Sequence, residues 1–311
     1  MNLMTDEKHY NTLNNYYRAY YPNKVFKIAL NGGFTCPNID GTVAKGGCTF
    51  CTPLGSGDFA GSKYDPLKIQ FDNIKEMMHL KWPDKANYIV YFQANTNTHS
   101  PIDKIKKLFD EAIGLDENIV MISIATRPDS LPIEVLDYLT ELNQKMPVQV
   151  ELGLQTIHET TSDLINRAHD ITCFDDAVKA LRNRNIEVVA HIINGLPYET
   201  KDMMLDTVRH LNTLDIQGIK IHMLHVMEKT KMGFDYKKHP FPILSLEDYV
   251  DITVDQLRIL KPNIIVHRVT GDAPLKLLIE PKWTLKKFVV QNEIDKKMRL
   301  LNAWQGDSYA E

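Results

Sequence analysis

The amino-acid sequence predicts an α/β fold, an incomplete (βα)6 TIM-like barrel followed by a C-terminal α/β extension. Short apolar, β-branched runs alternate with longer segments of helical periodicity along most of the chain. The runs lack the polar alternation of a half-exposed strand, which indicates a parallel sheet covered by helices. About six such units occur, fewer than the eight of a closed barrel.

Each element follows from its own stretch of sequence. The expected strands are FKIAL, YIVYFQ, VMISIA, VQVELGL, EVVAHII and GIKIHML. The expected helices lie near residues 67–81, 102–113, 132–144, 158–167, 174–184 and 200–213. Before the helix near 174–184, Thr172 suits an N-cap and Asp175 the acid of a capping box, so Cys173 is interpreted as an ordinary residue of the first turn.

The chain divides into three predicted regions. Residues 1–24 form an N-terminal segment with a short amphipathic helix within 5–22. Residues 25–235 form the partial barrel. The remainder, 236–311, contains a loop with two prolines, a helix over LEDYVDITVDQLRIL, a strand over IIVHRVT and a basic helix near 284–301. Because no flexible linker precedes it, this C-terminal extension is expected to pack on the barrel.

Composition indicates an ordinary globular protein. The 311 residues are 43% hydrophobic, which suffices for a substantial core. The longest apolar runs are far shorter than the roughly 20 residues that cross a bilayer, and the opening MNLMTDEKHY lacks the features of a signal peptide. We therefore expect a cytoplasmic protein without membrane association. A net charge of −4 gives no global positive field for nucleic acid, so any RNA contact would be local.

The best candidate for such a local contact is the stretch from Lys276 to Arg299. It sets seven cations against three acids, namely Lys276, Lys282, Lys286, Lys287, Lys296, Lys297 and Arg299 against Glu280, Glu293 and Asp295. Lysines at helical spacing are also common on solvated helix faces. The stretch is therefore either an RNA contact or an ordinary exposed surface.

Three of the four cysteines lie between Asn31 and Ala60. Cys36, Cys48 and Cys51 have the spacing C-x11-C-x2-C, and interleaved glycines let the backbone wrap closely around a sulfur-bound group. A structural zinc site usually has a fourth cysteine or histidine at a matching spacing. None follows nearby, although zinc stays an alternative, and four cysteines are too sparse for a disulfide scaffold. Three thiolates on a metal centre leave one coordination position open.

Eight segments carry a resemblance to a known family. They are FTCPNIDGTVAKGGCTFC, YFQANTNTHSP, IATRPDSLP, ELGLQTIHETT, INRAHD, HIINGLPYET, GIKIHMLHVMEKT and VHRVTGDAP. These segments resemble the radical SAM superfamily, in the YtqA/YhcC-like branch related to the Elongator catalytic subunit and to coproporphyrinogen-oxidase-like proteins. The resemblance implies a [4Fe-4S] cluster on Cys36, Cys48 and Cys51. Such clusters are normally held by four thiolates, and S-adenosyl-L-methionine (SAM) is the ligand known to bind the iron left free by three.

Polar residues at the carboxyl ends of the strands are expected to contact SAM, because ligands of parallel α/β sheets bind there. The second strand ends at Gln93, where many radical SAM proteins have an acidic residue, so Gln93 or backbone carbonyls would meet the methionyl amine. Ser123 and Arg127 end the third strand. Glu151 and Gln155 share one face of the fourth strand because side chains alternate, and both suit the ribose hydroxyls.

Two further SAM contacts follow from the resemblance. Arg167 in INRAHD is the expected partner of the SAM carboxylate, since a planar guanidinium can pair with it in a bidentate way. A helix-surface ion pair is the alternative for Arg167. Gly195-Leu196-Pro197 closes the fifth strand, where a glycine would let the backbone approach the adenine.

The spacing of the histidines does not favour a metal site. His222 and His225 are three residues apart on an expected strand, so they should face opposite sides of it. Together with His191, they are interpreted as core or substrate-contacting residues.

The predicted function is that of a radical SAM enzyme. One electron entering the cluster would cleave SAM to methionine and a 5′-deoxyadenosyl radical, which abstracts hydrogen from the substrate. The related families favour tRNA at a wobble uridine, with flavodoxin or ferredoxin as electron donor. Three alternatives stay open: the same chemistry on a small metabolite or porphyrin, a cluster-bearing binding or delivery protein without turnover, and a zinc-binding interaction module.

Overall fold

The computed structural model describes residues 2–52, 55, 57, 59–82 and 85–310. Its centre is a curled sheet of seven parallel strands in the order β1-β2-β3-β4-β5-β6-β8. The strands are β1 Lys24–Leu30, β2 Ala86–Phe92, β3 Ile119–Thr126, β4 Val148–Gln155, β5 Glu187–Asn194, β6 Gly218–Met223 and β8 Ile265–Arg268. A small antiparallel ribbon joins β7 Val226–Met227 to β9 Leu278–Glu280. The incomplete TIM-like barrel predicted from the sequence is confirmed.

The helices connect the strands and cover the sheet. They are α1 Leu13–Tyr20, α2 Pro37–Asp40, α3 Leu67–His79, α4 Ile102–Ile113, α5 Ile133–Lys145, α6 Glu159–Leu164, α7 Ile171–Arg182, α8 Lys201–Leu211, α9 Lys231–Lys238, α10 Leu246–Ile259 and α11 Lys287–Leu300. In α4 the buried residues Ile105, Phe109 and Ala112 recur at intervals of four and three, which places them on one face toward the core. The central strands are buried along both faces, as the run Val188, Val189 and Ala190 illustrates.

The N-terminal helix is shorter than the sequence suggested. It begins at Leu13, where the Thr12 hydroxyl caps it by accepting from Asn15 N at 3.1 Å. The residues before the helix contact the sheet instead. Asn11 O accepts a hydrogen bond from Val266 N of β8 at 2.8 Å. This backbone contact covers the outer edge of β8, where unpaired strand groups would otherwise be exposed.

Two other helix starts differ from the expectation. Asp170, rather than Thr172, is the N-cap of α7, because its carboxylate accepts from Cys173 N at 2.7 Å. Cys173 still lies in the first turn, as predicted. The basic helix α11 begins only at Lys287, after a 3-10 turn over Lys282–Leu285.

The C-terminal extension joins the barrel through both a strand and a helix. Strand β8 pairs in parallel with β6 and becomes the seventh strand of the sheet. From α10, the buried amide of Gln256 exchanges two hydrogen bonds with the buried amide of Asn194, at 2.7 and 2.9 Å, and donates to Met204 O at 3.0 Å. These bonds fix α10 to the carboxyl end of β5. The exact region boundaries stay a prediction.

No helix in the described ranges combines the length and the apolar character that crossing a bilayer requires.

Replacing Gln256 with leucine tests this attachment. The side chain keeps a similar size, but both polar atoms of the Asn194 amide lose their partner in a buried place, which should destabilise the protein by about 1–3 kcal/mol. Urea unfolding followed by circular dichroism measures the change. The control is Gln144→Leu on the exposed face of α5, for which we expect a change within about 0.5 kcal/mol. Equal effects of the two variants would contradict the role assigned to Gln256.

Candidate active site

A cavity of about 360 Å³ opens at the carboxyl ends of the parallel strands. The loop after β1 brings Cys36, Cys48 and Cys51 to its wall, and strands β2 to β6 contribute side chains near their ends. This is the edge of a parallel α/β sheet at which ligands bind. The cysteines and most of the polar strand ends therefore face one space.

The cysteine loop is held by hydrogen bonds to the segment after α6. The Asn38 side chain is fully buried, and its amide donates to Asn166 O at 2.5 Å and to Cys48 Sγ at 3.5 Å. Thr49 N donates to Ile165 O at 2.9 Å. Gly47 has a φ of 74°, a backbone conformation that glycine adopts without strain. The loop is thus shaped by the barrel it lies on.

The three sulfurs are close enough to affect one another. All are free thiols. A hydrogen bond with the Cys51 thiol, with help from the positive charge of Arg127, lowers the pKa of Cys48 to about 7 even though burial opposes this. The same hydrogen bond and burial raise the pKa of Cys51. Cys173 lies outside the cavity wall as described.

These thiols have the ligand chemistry of an iron-sulfur cluster. Across the described part of the chain, no three histidine, cysteine, aspartate or glutamate side chains are arranged to share one metal ion. Thiolates that each bind a different iron of one cluster do not need to meet at a point. The donor set is also the soft thiolate type that such clusters use.

Four of the expected SAM-binding residues line the cavity: Gln93, Arg127, Glu151 and Gln155. Gln155 ends β4 with a φ of 63°, and the pairing of β4 with β5 shifts register just before it. Its side chain folds back over Gly153, where a Cβ atom would stand 2.5 Å from Gln155 Nε2. A side chain at residue 153 would displace the Gln155 amide from this position, a constraint that the simple alternation of strand side chains does not reveal.

Glu151 is the hub of a buried polar network. Its carboxylate accepts from Lys27 Nζ at 2.5 Å, Ser123 Oγ at 2.9 Å, Tyr91 Oη at 2.9 Å and His191 Nε2 at 2.7 Å, and also from Lys220 Nζ. Burial alone would raise the pKa of Glu151, but the two lysines hold it well below its usual range. Burial lowers the pKa of Lys220 to about 7, although the negative charge of Glu151 acts to raise it.

This network changes the interpretation of two predicted contacts. Both carboxylate oxygens of Glu151 already serve several donors, which leaves little capacity for ribose hydroxyls. Ser123 is fully buried beneath the cavity, where it donates to Glu151 and accepts from Lys27 Nζ at 3.3 Å. Both residues support the cavity from within the barrel.

Arg167 lies behind the cavity wall and does not face the space where SAM would bind. It is 1% exposed, and its guanidinium donates to Leu154 O at 2.8 Å, to His169 O at 2.9 Å and to Thr156 O. Its own carbonyl accepts from Arg127 at 2.9 Å. A guanidinium whose donors are used by backbone carbonyls holds the end of β4 in place. The guanidinium also lies 3.4 Å from Glu159 Oε1 of α6, so the ion pair considered as the alternative is present, although the arginine side chain itself is buried.

The Gly195-Leu196-Pro197 turn also lies outside the cavity wall. Leu196 and Pro197 are buried, and Leu196 packs with Ile165 and Leu224. A Cβ atom at Gly195 would stand 3.0 Å from Leu244 Cδ1. The φ of 83° at Gly195 favours glycine, and Leu244 of the C-terminal extension leaves little room for a side chain. The approach to adenine that the sequence suggested stays a prediction.

The expected opposite orientation of His222 and His225 is wrong. Strand β6 ends at Met223, so His225 lies beyond the strand and does not follow its alternation. Both histidines line the cavity. Sequence reasoning also missed several lining residues, namely Tyr91, Lys220, Arg268 and Asp272. Lys220 could have been found from the sequence, because a charged residue inside a largely apolar strand is unusual.

Comparison with known proteins agrees with this geometry. The model of the Radical SAM superfamily matches residues 40–211, and that of the Radical_SAM C-terminal domain matches residues 216–299. The uncharacterized protein YtqA of Bacillus subtilis is 52% identical over 96% of this chain and 92% of its own length. Protein YhcC of Escherichia coli is 34% identical over 89% of this chain and 88% of its own length.

More distant proteins share the fold. A tRNA uridine(34) acetyltransferase of Methanocaldococcus jannaschii is 21% identical over 58% of this chain and 33% of its own length. The structure of Elp3 from Methanocaldococcus infernus superposes with a TM-score of 0.65 at 18% identity, over 91% of this chain and 64% of that one. Given the matched family model and the two nearly full-length relatives, the chain belongs to the radical SAM superfamily.

Proposed function

We propose that the protein binds a [4Fe-4S] cluster through Cys36, Cys48 and Cys51 and uses SAM to modify a nucleoside of tRNA. The observation that carries the first part is three free thiols on one loop, open to a cavity at the carboxyl ends of a half-barrel. When bound together, the cluster and SAM would supply reductive cleavage of SAM, with electrons from a flavodoxin or ferredoxin. The chain itself positions the reactants and excludes water.

The residues in and around the cavity have different roles in this positioning. Gln93 and Gln155 present amide groups, which can donate and accept hydrogen bonds, to the amine and ribose of SAM. Arg127 forms an ion pair with Asp129, at 2.5 and 2.9 Å. Its positive charge still acts on the thiols and helps to lower the pKa of Cys48. Arg167 acts as a positioning residue for the end of β4.

A tRNA substrate is supported by an exposed segment beside the cavity. Residues 285–289, with the sequence LKKFV, are all exposed, and the Phe288 side chain is 71% exposed. They line a groove that shares Asp272 with the wall of the cavity. Aromatic rings combined with lysines are typical of single-stranded nucleic-acid surfaces, because bases stack on the ring and phosphates meet the cations. A relative that acts on tRNA uridine, by its name, adds support.

The rest of the basic tail is less available than its sequence suggests. Lys296 lies 3.5 Å from Glu293, and Lys297 pairs with Asp251. Lys287 is also paired, with Asp272 at 2.7 Å, but it lies next to Lys286 and Phe288 at the groove. The part of the tail that best fits RNA is therefore 285–289.

The cluster assignment predicts that replacing all three loop cysteines with alanine abolishes iron binding and SAM cleavage. Each thiolate would hold one iron, so no ligand would remain on the loop. Iron and sulfide content after anaerobic reconstitution, and 5′-deoxyadenosine formed with dithionite, measure the two losses. Cys173→Ala is the matched control and should behave like the wild type. Stoichiometric zinc would favour the interaction module, and an intact cluster without 5′-deoxyadenosine, even with cell extract, would favour a delivery protein.

Arg167→Ala is expected to lose stability first and SAM affinity as a consequence. Three backbone carbonyls would lose a charged donor in a buried place, so the loss should be at least about 3 kcal/mol. Urea unfolding and iron content test this, with Arg209→Ala on an exposed face of α8 as the control. Weaker SAM binding by a variant with full iron content and unchanged stability would instead show that Arg167 contacts SAM directly.

Charge reversal of Lys286, Lys287, Lys296 and Lys297 together is expected to weaken tRNA binding and flatten its salt dependence. The log-log slope should fall by roughly 0.7 to 0.9 per lost phosphate contact. The Lys286→Glu/Lys287→Glu pair should cause most of the loss and the Lys296→Glu/Lys297→Glu pair little. Filter binding at several salt concentrations measures the slopes, and SAM cleavage without RNA should stay intact. No salt-dependent binding by the wild type would favour a small-metabolite substrate.

A further inference from the structure

Two buried imidazole nitrogens at the end of β6 have no partner within the protein. The Nε2 atoms of His222 and His225 are buried and, in the structure as described, make no hydrogen bond. Both side chains line the cavity. Buried polar groups in native proteins are nearly always hydrogen-bonded, and leaving one unpaired costs about 1–3 kcal/mol. A ligand in the cavity would satisfy both nitrogens.

The surroundings hold these imidazoles in place. His222 packs beside His191, with ring centroids 5.3 Å apart, and His191 is itself fixed by its hydrogen bond to Glu151. His225 lies against Gly271 of the C-terminal extension, where a Cβ atom would stand 2.7 Å from its Cε1 atom. The extension therefore forms part of this end of the cavity.

The two imidazoles are neutral at physiological pH. Burial lowers the pKa of His225 to about 4 and that of His222 well below its usual value, and the positive charge of Arg268 adds to both effects. A neutral imidazole offers one donor and one acceptor. Each Nε2 atom can thus donate or accept according to the tautomer.

Each cation near these histidines has a carboxylate partner, although Glu151 and Asp272 each pair with two cations. Lys220 pairs with Glu151, and Arg268 lies 2.6 Å from Asp272. Because the two imidazoles are neutral, they require hydrogen-bonding groups, and a ligand can satisfy them without a charge of its own. A flat, uncharged group with one donor between two acceptors along one edge, such as an imide, satisfies both nitrogens whenever at least one Nε2 atom carries its proton.

We propose that His222 and His225 form a substrate subsite that binds the uncharged donor-acceptor edge of a heterocyclic base. The proposal rests on the proposed function, since the base would be that of the tRNA nucleoside under modification. The pyrimidine imide, with one N–H between two carbonyls, has this pattern. The subsite is separate from the residues assigned to SAM and is completed by the C-terminal extension.

The test compares His222→Phe and His225→Phe, which keep a ring but remove its nitrogens, with His222→Gln and His225→Gln, which restore a polar group. The assays use cluster-loaded full-length protein. For the phenylalanine variants we expect iron content and substrate-free SAM cleavage within twofold of the wild type. Modified nucleoside per 5′-deoxyadenosine should fall about tenfold or more, a loss of roughly 1.4 kcal/mol in coupling, and the glutamine variants should recover part of it. His239→Phe, at an exposed position after α9, is the control.

Phenylalanine variants that modify tRNA with the wild-type coupling ratio would overturn the subsite. If the wild type does not modify tRNA at all, the proposed function fails, and a binding experiment decides the subsite separately. Millimolar uridine should then shift the imidazole resonances of His222 and His225 in NMR spectra, whereas 3-methyluridine, which lacks the N–H donor, should shift them less. Absence of any shift with uridine would overturn the proposal, as would equal shifts with the two nucleosides.

Discussion

One carboxylate connects most of the sheet. Glu151 on β4 accepts hydrogen bonds from Lys27 on β1, Tyr91 on β2, Ser123 on β3, His191 on β5 and Lys220 on β6. A half-barrel lacks the ring of strand pairing that closes a full barrel, so its concave interior needs other contacts across non-adjacent strands. Removing one member of such a buried network leaves uncompensated charge in a low-dielectric place, which is strongly destabilising. Glu151 therefore links β4 to five other strands of the sheet at the wall of the cavity.

The sequence predicted the features that depend on local patterns. It did not predict contacts between residues that are distant in the chain. The apolar runs located all six barrel strands, and the cysteine spacing located the loop at the cavity. The network around Glu151 was out of reach, because Lys27 and Lys220 are 193 residues apart in the chain and each looks like an isolated polar residue in an apolar strand. The buried position of Arg167 was not predicted, because its donors go mainly to backbone carbonyls, which leave no mark on side-chain patterns.

The C-terminal extension is part of the site rather than an addition to it. Its strand β8 completes the sheet, and Arg268 at the end of β8 and Asp272 in the loop after it line the cavity. Asp272 also pairs with Lys287 of the basic segment at 2.7 Å. The two ion pairs of this carboxylate, with Arg268 and with Lys287, join the cavity wall to the exposed groove.

The edge contact between Asn11 and Val266 has a consequence for biosynthesis. The two residues are 255 positions apart in the chain, so the N-terminal segment cannot take its place until nearly the whole protein has left the ribosome. Contacts this distant in sequence form late and slowly. The three cysteines, by contrast, are made before residue 52, long before β6 and β8 exist to complete the wall around them. During synthesis the thiols therefore emerge on an unfinished sheet, before the strands that complete the cavity wall have been made.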